Sequence, residues 1–360
     1  MLETLLGTPA RRTRGTRNRP SSGTFKSEVL GFAYLVAHWA DVPRLALDRY
    51  DLPDMARNFL SVDDLSASDL AELLELSEKV KASPSDYAQR LAGLSVTMIF
   101  EKPSTRTRVS FEVAIADLGA HPLALSSSDL QLGRGETIED TGRVLSRYVD
   151  AIVLRTFGQE RLEALARTAT IPVVNALSDF EHPCQCLADL LTIDEKKGRL
   201  DGLTLAYVGD GNNVAHSLLL GGAKAGMHVR VATPFGYEPI PQVTQRAEEI
   251  GKETGGSAMI THDPERAVTG ADVLYTDVWA SMGQEEEAAE RTLVFQPYRL
   301  DQEAVNRAAP DAIVMHCLPA HRGQEITDEV IDGPHSVVWD QAENRLHTQK
   351  ALLLWLLGDI

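Results

Sequence analysis

Between an apolar run ending at Phe100 and an amphipathic run beginning at Val109, the chain reads Ser104-Thr105-Arg106-Thr107-Arg108. Ser and Thr cap helices, so this stretch brings hydroxyls, uncommitted backbone N–H groups and guanidinium forks to one helix start. Donors of that kind at the positive end of a helix dipole hold a phosphate or a similar anion. The same five residues also make an ordinary capped helix with solvated arginines. Partners elsewhere in the chain have to decide between the two readings.

Five further groups are candidates for that role. Glu181-His182-Pro183-Cys184-Gln185 opens a second periodic stretch, in which His182 and Gln185 are three apart and can face one ligand from a first helical turn. A polar helix start gives the same pattern. Arg155 closes the apolar run 151–154, placed either to join them at a sheet edge or to form a surface ion pair. Asp277 follows the run 272–276 and begins Asp277-Val278-Trp279-Ala280-Ser281-Met282-Gly283. A carboxylate at such a point can hold an ammonium group or cap a helix. Gly209-Asp210-Gly211-Asn212-Asn213 imitates a dinucleotide fingerprint, but Val214 stands at the third glycine position and no acidic residue ends the strand that follows. That favours a small ligand, with Asn213 offering donor and acceptor to an amino-acid head group. His316-Cys317-Leu318-Pro319 ends another apolar run, and Cys317 reads as a nucleophile, a proton handler or an inert buried thiol.

The elements that must position these residues alternate between strand and helix periodicity, the mark of α/β architecture. Strands are expected at 94–100, 122–126, 151–155, 171–174, 203–208, 228–232, 272–276, 312–316 and 336–339. Helices are expected at 67–81, 182–197, 213–226, 241–251 and 341–357, and Val109, Phe111, Val113, Ala114, Ile115 and Leu118 follow a helical pattern after the arginine run. The expected fold is two Rossmann-like α/β domains with parallel sheets, at 55–197 and 198–340, with a C-terminal helix at 341–360 returning to the first domain. Residues 1–54, with Arg11, Arg12, Arg14, Arg17 and Arg19 in a Thr/Ser/Gly/Pro-rich setting, stand apart. They suit a dispensable or mis-started extension ahead of Met55, with a transit peptide as the alternative.

A net charge of −17 over 360 residues argues against a nucleic-acid surface, which would be repelled. Three cysteines without a framework point to a reducing compartment, and the Cys184-x-Cys186 pair lacks a second pair at zinc-finger spacing. No apolar run approaches the ~20 residues that span a bilayer, so no membrane partner is expected.

Ser-Thr-Arg-Thr at 104–107, His-Pro-Cys-Gln at 182–185, Asp-x-x-x-Ser-Met-Gly at 277–283 and His-Cys-Leu-Pro at 316–319, in this order, resemble the motifs of the aspartate/ornithine carbamoyltransferase family. The resemblance spans about Met55 to Ile360 and points to the ornithine-using branch. It implies transfer of a carbamoyl group from carbamoyl phosphate to the δ-amine of L-ornithine, giving L-citrulline and phosphate, with no metal or organic cofactor. By that resemblance Ser104, Thr105, Arg106 and Thr107 bind the phosphate, while Arg155, His182 and Gln185 hold the carbamoyl group and Arg345 closes the site. Asn213, Asp277, Ser281 and Met282 hold the ornithine head group, and Cys317 and Leu318 lie beside the reacting carbon. Gln131 matches a position presented across a subunit boundary, which implies a homotrimer. The aspartate-using members carry Thr where this chain has Cys184, putrescine gives Asp-x-x-x-Ser-Met-Gly no α-carboxylate to bind, and acetylated ornithine lacks the α-ammonium. A binding protein without turnover would have lost the arginines or His-Cys-Leu-Pro, and this chain keeps both. The motifs serve arginine synthesis and arginine breakdown alike; synthesis, in the cytoplasm, is the expectation.

Overall fold

In the computed structural model, residues 57–126, 130, 135–280 and 288–358 are described. Short runs rich in Val, Ile, Leu and Ala form two sheets in which every pairing is parallel. The first contains Ser95–Phe100 (β1), His121–Ser126 (β2), Ala151–Arg155 (β3) and Val173–Leu177 (β4), in the order β2-β1-β3-β4. The second contains Thr204–Val208 (β5), His228–Ala232 (β6), Ser257–Thr261 (β7), Val273–Thr276 (β8) and Ile313–His316 (β9), in the order β7-β6-β5-β8-β9. Parallel strands need long crossovers, and the helices that supply them bury the central strands. The expected two-domain α/β fold is therefore present.

Strand order decides where a ligand can sit. Connections from neighbouring strands diverge between β1 and β3 in one sheet and between β5 and β8 in the other. Open α/β sheets bind ligands at such points, beyond the carboxyl ends of the strands. The Ser104 helix start follows β1 and Arg155 ends β3; the 209–213 loop follows β5 and Asp277 follows β8. Two glycines shape the connections. Gly198 ends the Pro183–Lys197 helix at φ 72°, and a side chain on Gly211 would meet the Pro239 backbone nitrogen at 2.3 Å.

One apolar cluster, including Met98, Leu187, Leu190, Tyr207, Leu218 and Leu352, joins both sheets through the helices between them. The Val338–Leu357 helix packs on Ala67–Ala82, Thr105–Asp117 and Pro183–Lys197, as expected of a helix returning to the first domain. Polar ties set its register: Lys81 Nζ donates to Asn344 Oδ1 at 2.7 Å, Asn344 Nδ2 to Thr192 Oγ1 at 2.9 Å, and Lys350 pairs with Asp117 at 2.6 Å.

Several expectations need correction. The strand at 336–339 is absent: Ser336 makes an isolated bridge to Val314, and the last helix already begins at Val338. Val337-Val338-Trp339 is apolar enough to read as a strand, but so short a run does not separate strand from helix. The strand expected at 171–174 lies at Val173–Leu177, and β7 escapes the sequence reading because Ser257–Thr261 is a partly exposed edge whose apolar run is only Ala258-Met259-Ile260. Val109 and Val113 keep the helical period yet are 52% and 39% exposed, while Phe111, Ala114, Ile115 and Leu118 are buried. Residues 1–54 lie outside the described residues.

Candidate active site

Arg106 and Arg155 stand at the carboxyl edge of the first sheet, and Arg345 reaches them from the last helix. Ser104 caps the Thr105–Asp117 helix by accepting the Thr107 N–H at 3.2 Å. The first-turn N–H groups of Thr105 and Arg106 have no intrahelical acceptor. Arg106 is exposed, whereas Thr107 is buried and its Oγ1 accepts from Arg345 Nη2 at 2.7 Å. Arg155 and Arg345 are 9% and 3% exposed, and the Nε of each is buried without a partner. Among the described residues, neither they nor Arg106 forms an ion pair with a carboxylate. Burial, then the charges of Arg345 and Arg106, push Arg155 down to about 10. Arg345 is lowered mainly by burial, with Arg106 also opposing its charge. Buried guanidinium groups without an ion-pair partner are costly, and an anion bound among them would relieve that cost.

His182 is the N-cap residue of the Pro183–Lys197 helix, not its first helical residue, and Gln185 follows on the first turn. Both are buried; His182 Nδ1 and Gln185 Oε1 have no hydrogen-bond partner. Burial first, then Arg345, Arg155 and Arg106, hold His182 well below the usual imidazole range, so it is neutral at physiological pH. The arrangement joins Arg106, Arg155, His182 and Arg345 into one electrostatic neighbourhood.

The second sheet supplies a carboxylate and a thiol. Cys317 Sγ donates to Asp277 Oδ1 at 3.0 Å, and Asn212 Nδ2 donates to Asp277 Oδ2 at 2.9 Å. Burial, then the neighbouring Asp277 charge, raise the Cys317 thiol well above its ordinary value, so it is protonated at neutral pH. Leu318 takes a left-handed φ of 58°, held by its N–H donating to His316 Nδ1 at 2.8 Å. His316 Nε2 faces Glu325 at 3.2 Å, both side chains fully buried. Asn212 was missed by sequence reasoning; it caps the Asn213–Lys224 helix and reaches Asp277. Asn213 instead donates Nδ2 to Ser178 O at 2.7 Å, across to the first domain. Gln131, Ser281 and Met282 lie outside the described residues.

Asp277, His316 and Cys317 offer ligand atoms within 4.8 Å of one another. Both His316 nitrogens and both Asp277 oxygens are already engaged, and Cys317 holds its proton, which is a poor fit to a cation. Cys184 and Cys186 are buried and donate to the carbonyls of Asn175 and Ser217 at 3.3 and 3.1 Å. Burial pushes Cys184 up to about 12, so neither its reactivity nor its metal affinity is promoted.

Glu181 ties the two halves together. Its carboxylate accepts from Ser61 Oγ, from Val62 N at 3.0 Å and from Ser217 Oγ at 3.1 Å, while Ser217 Oγ also accepts the His182 N–H at 2.9 Å. Burial pushes Glu181 up to about 7, against the lowering effect of those donors. A carboxyl raised in the fold keeps a proton that the unfolded chain has lost. Its cost to stability therefore grows as pH rises from 4.5 to about 7 and then levels off. Glu181→Gln can keep the Val62 and Ser217 contacts. It should gain roughly 1–3 kcal/mol over the parent chain at pH 8 and little at pH 4. Parallel urea-midpoint profiles across that window would contradict this assignment.

Comparison with known proteins places both halves of the chain in one family. Residues 57–195 match the aspartate/ornithine carbamoyltransferase carbamoyl-P binding domain, and 201–356 match the Asp/Orn binding domain of the same family. The chain is 65% identical over 307 residues to an ornithine carbamoyltransferase of Parafrankia sp. (strain EAN1pec), covering 84% of this chain and 97% of that protein. It is 56% identical over 306 residues to the "Ornithine carbamoyltransferase, anabolic" of Pyrococcus furiosus, covering 84% of this chain and 97% of that protein. The solved ornithine carbamoyltransferase of Pyrococcus furiosus superposes with a TM-score of 0.82 at 56% identity, covering 85% of this chain and 98% of that one. That of Gloeobacter violaceus gives 0.77 at 51% identity, covering 84% and 99%. With both halves matched, the chain belongs to the aspartate/ornithine carbamoyltransferase family.

Proposed function

We propose that this carbamoyltransferase moves the carbamoyl group of carbamoyl phosphate to the δ-amine of L-ornithine, giving L-citrulline and phosphate. The observation that carries the reading is an arginine trio without a carboxylate ion pair among the described residues, with the Asp277–Cys317 pair as a neighbour of Arg155 and Arg345. In this reading Ser104, Thr105, Arg106 and Thr107 take the phosphate, whose leaving is eased by matched charge. Arg155, His182 and Gln185 hold the carbamoyl group, and Arg345 closes the site. Attack by the neutral amine puts negative charge on the carbonyl oxygen, which preorganised donors at Arg106, Thr107, Arg155 and His182 stabilise. The tetrahedral intermediate then expels phosphate and releases the amine proton. Asp277, with Asn213, Ser281 and Met282, holds the amino-acid head group, and Leu318 lies beside the reacting carbon.

A protonated thiol aimed at a carboxylate is neither a covalent nucleophile nor by itself a base; in this reading Cys317 takes up the amine proton as its own S–H proton passes to the Asp277 carboxylate that accepts it. Cys317→Ser should therefore bind both substrates normally while kcat falls by about 10-fold or more, and an unchanged kcat would rule the role out. Stoichiometric citrulline and phosphate from carbamoyl phosphate and ornithine would test the reaction itself; no citrulline would overturn it.

We further propose a homotrimer in which a second copy supplies Gln131. A groove lined by Thr105, Arg106, Val109, Val113 and Arg345 opens beside the cations, and its two exposed valines favour cover by another chain. Sedimentation as a monomer would refute it. The proposed setting is arginine biosynthesis in the cytoplasm, supported by the anabolic relative and by free Cys184, Cys186 and Cys317, which suit a reducing compartment. No helix among the described residues is long and apolar enough to cross a membrane.

A further inference from the structure

A primary amide has nearly the same shape when its oxygen and nitrogen are exchanged, so its partners decide which end it offers. Gln185 is 1% exposed; its Nε2 donates to Asp189 Oδ1 at 2.8 Å, and its Oε1 is buried without a partner. The reason it points this way can be traced to a group that cannot flip. The backbone N–H of His316, on β9, can only donate, and it donates to Gln341 Oε1 at 2.9 Å. Gln341 is thereby fixed with Nε2 toward Asp189 Oδ1 at 2.7 Å and Tyr275 Oη at 3.0 Å. Tyr275 in turn donates to Asp189 Oδ2 at 3.1 Å.

Asp189 Oδ1 is therefore an acceptor, and Gln185 can meet it only through its NH2 group. The reversed amide would press two acceptor oxygens together at the observed 2.8 Å in a site with no water-facing surface. Burial pushes the Asp189 carboxyl up to about 7. A proton carried on Oδ2 still leaves Oδ1 the acceptor, so the polarity of Gln185 is the same in either protonation state.

The consequence lies in what surrounds the substrate. Arg106, Arg155 and Arg345 offer only N–H donors, which suit a phosphate and a carbonyl oxygen. Gln185 Oε1 is an acceptor, three residues along the helix from His182. We propose that Asp189 is a positioning residue that locks the Gln185 amide oxygen toward the donor substrate, and that this selects a carbamoyl group over an acetyl group. The carbamoyl –NH2 can donate to that oxygen, whereas the acetyl methyl leaves a buried acceptor unpaired. The inference rests on the carbamoyl phosphate reading above.

Two phosphonates that differ only in this group test it: phosphonoacetamide, ending in –NH2, and phosphonoacetone, ending in –CH3. Dissociation constants of both are measured with the unaltered chain and with Asp189→Leu and Asp189→Asn, each checked for a cooperative melt. The unaltered chain should prefer the amide by roughly 10–100-fold. Asp189→Leu, which removes the acceptor, should bring the two affinities within about threefold of each other. Asp189→Asn, with its carbonyl toward the glutamines and its NH2 toward Tyr275, should restore the preference. A folded Asp189→Leu variant that keeps the original preference overturns the proposal. So does equal binding of the two phosphonates by the unaltered chain. Should the leucine variant fail to fold, a folded Asp189→Asn variant decides, since loss of its preference overturns the proposal and retention supports it. If the unaltered chain binds neither phosphonate, it is the carbamoyl phosphate reading that falls.

Discussion

Replacing Arg155 with glutamine is expected to lower kcat/KM for carbamoyl phosphate by about 10³-fold or more. The side chain stands at the carboxyl end of β3, at the divergence point of the first sheet, with Nε buried and unpartnered. It is held charged although burial, Arg345 and Arg106 all oppose that charge. An interaction that strengthens as the carbonyl oxygen becomes negative is worth about 3–4 kcal/mol per donor in sites of this kind. Glutamine loses both the charge and the planar fork. Arg155→Lys should rescue poorly, because an ammonium supplies a point charge without bidentate geometry. The fold should tolerate the glutamine, since removing a buried cation from a cationic cluster relieves repulsion. A melting temperature equal to or above that of the parent, with activity lost, is the expected pair of results. A change confined to KM for ornithine would place Arg155 in the other half of the site.

Replacing Asp277 with asparagine is the second large effect. The KM for ornithine should rise by roughly 10–100-fold, the worth of a hydrogen bond to a charged group, with a smaller change for carbamoyl phosphate. A second readout is independent of substrate. The Asp277 charge and its acceptance of the thiol proton both raise Cys317. Their removal makes the thiolate easier to form, so iodoacetamide should alkylate Cys317 faster in the variant at pH 8. Cys184 and Cys186 are buried and serve as internal controls. An unchanged alkylation rate would show that Asp277 does not govern the thiol.

Much of this site was legible because strand ends are legible. Apolar runs that stop at Phe100, Arg155, Thr276 and His316 become the carboxyl edges of parallel strands, where Ser104, Arg155, Asp277 and Cys317 emerge. What the sequence hides is the inside of helices. Asp189 and Gln341 are polar letters in helical runs, and their burial follows only from packing of the Pro183–Lys197 and Val338–Leu357 helices against each other. Asp189 lies four residues after Gln185, so a same-face pairing was the available signal. Asn212 and Asn213 are adjacent, and only the cap geometry of the helix shows that Asn212 faces Asp277 while Asn213 turns to Ser178. Val109 and Val113 show the opposite failure. Their period matches a core face, yet the face they form is exposed in a single chain.

The central claim is that one site joins a leaving phosphate on the first sheet to an amino-acid amine on the second. It is tested most directly by initial rates with carbamoyl phosphate and four amines in parallel: L-ornithine, putrescine, L-aspartate and N-acetyl-L-ornithine. The account predicts citrulline from ornithine, with kcat/KM at least about 100-fold above the other three amines, because putrescine lacks and N-acetyl-L-ornithine blocks the head group that the second sheet is proposed to hold, and L-aspartate lacks the δ-amine. Putrescine turned over as well as ornithine, or no carbamoylated product from ornithine, would contradict it.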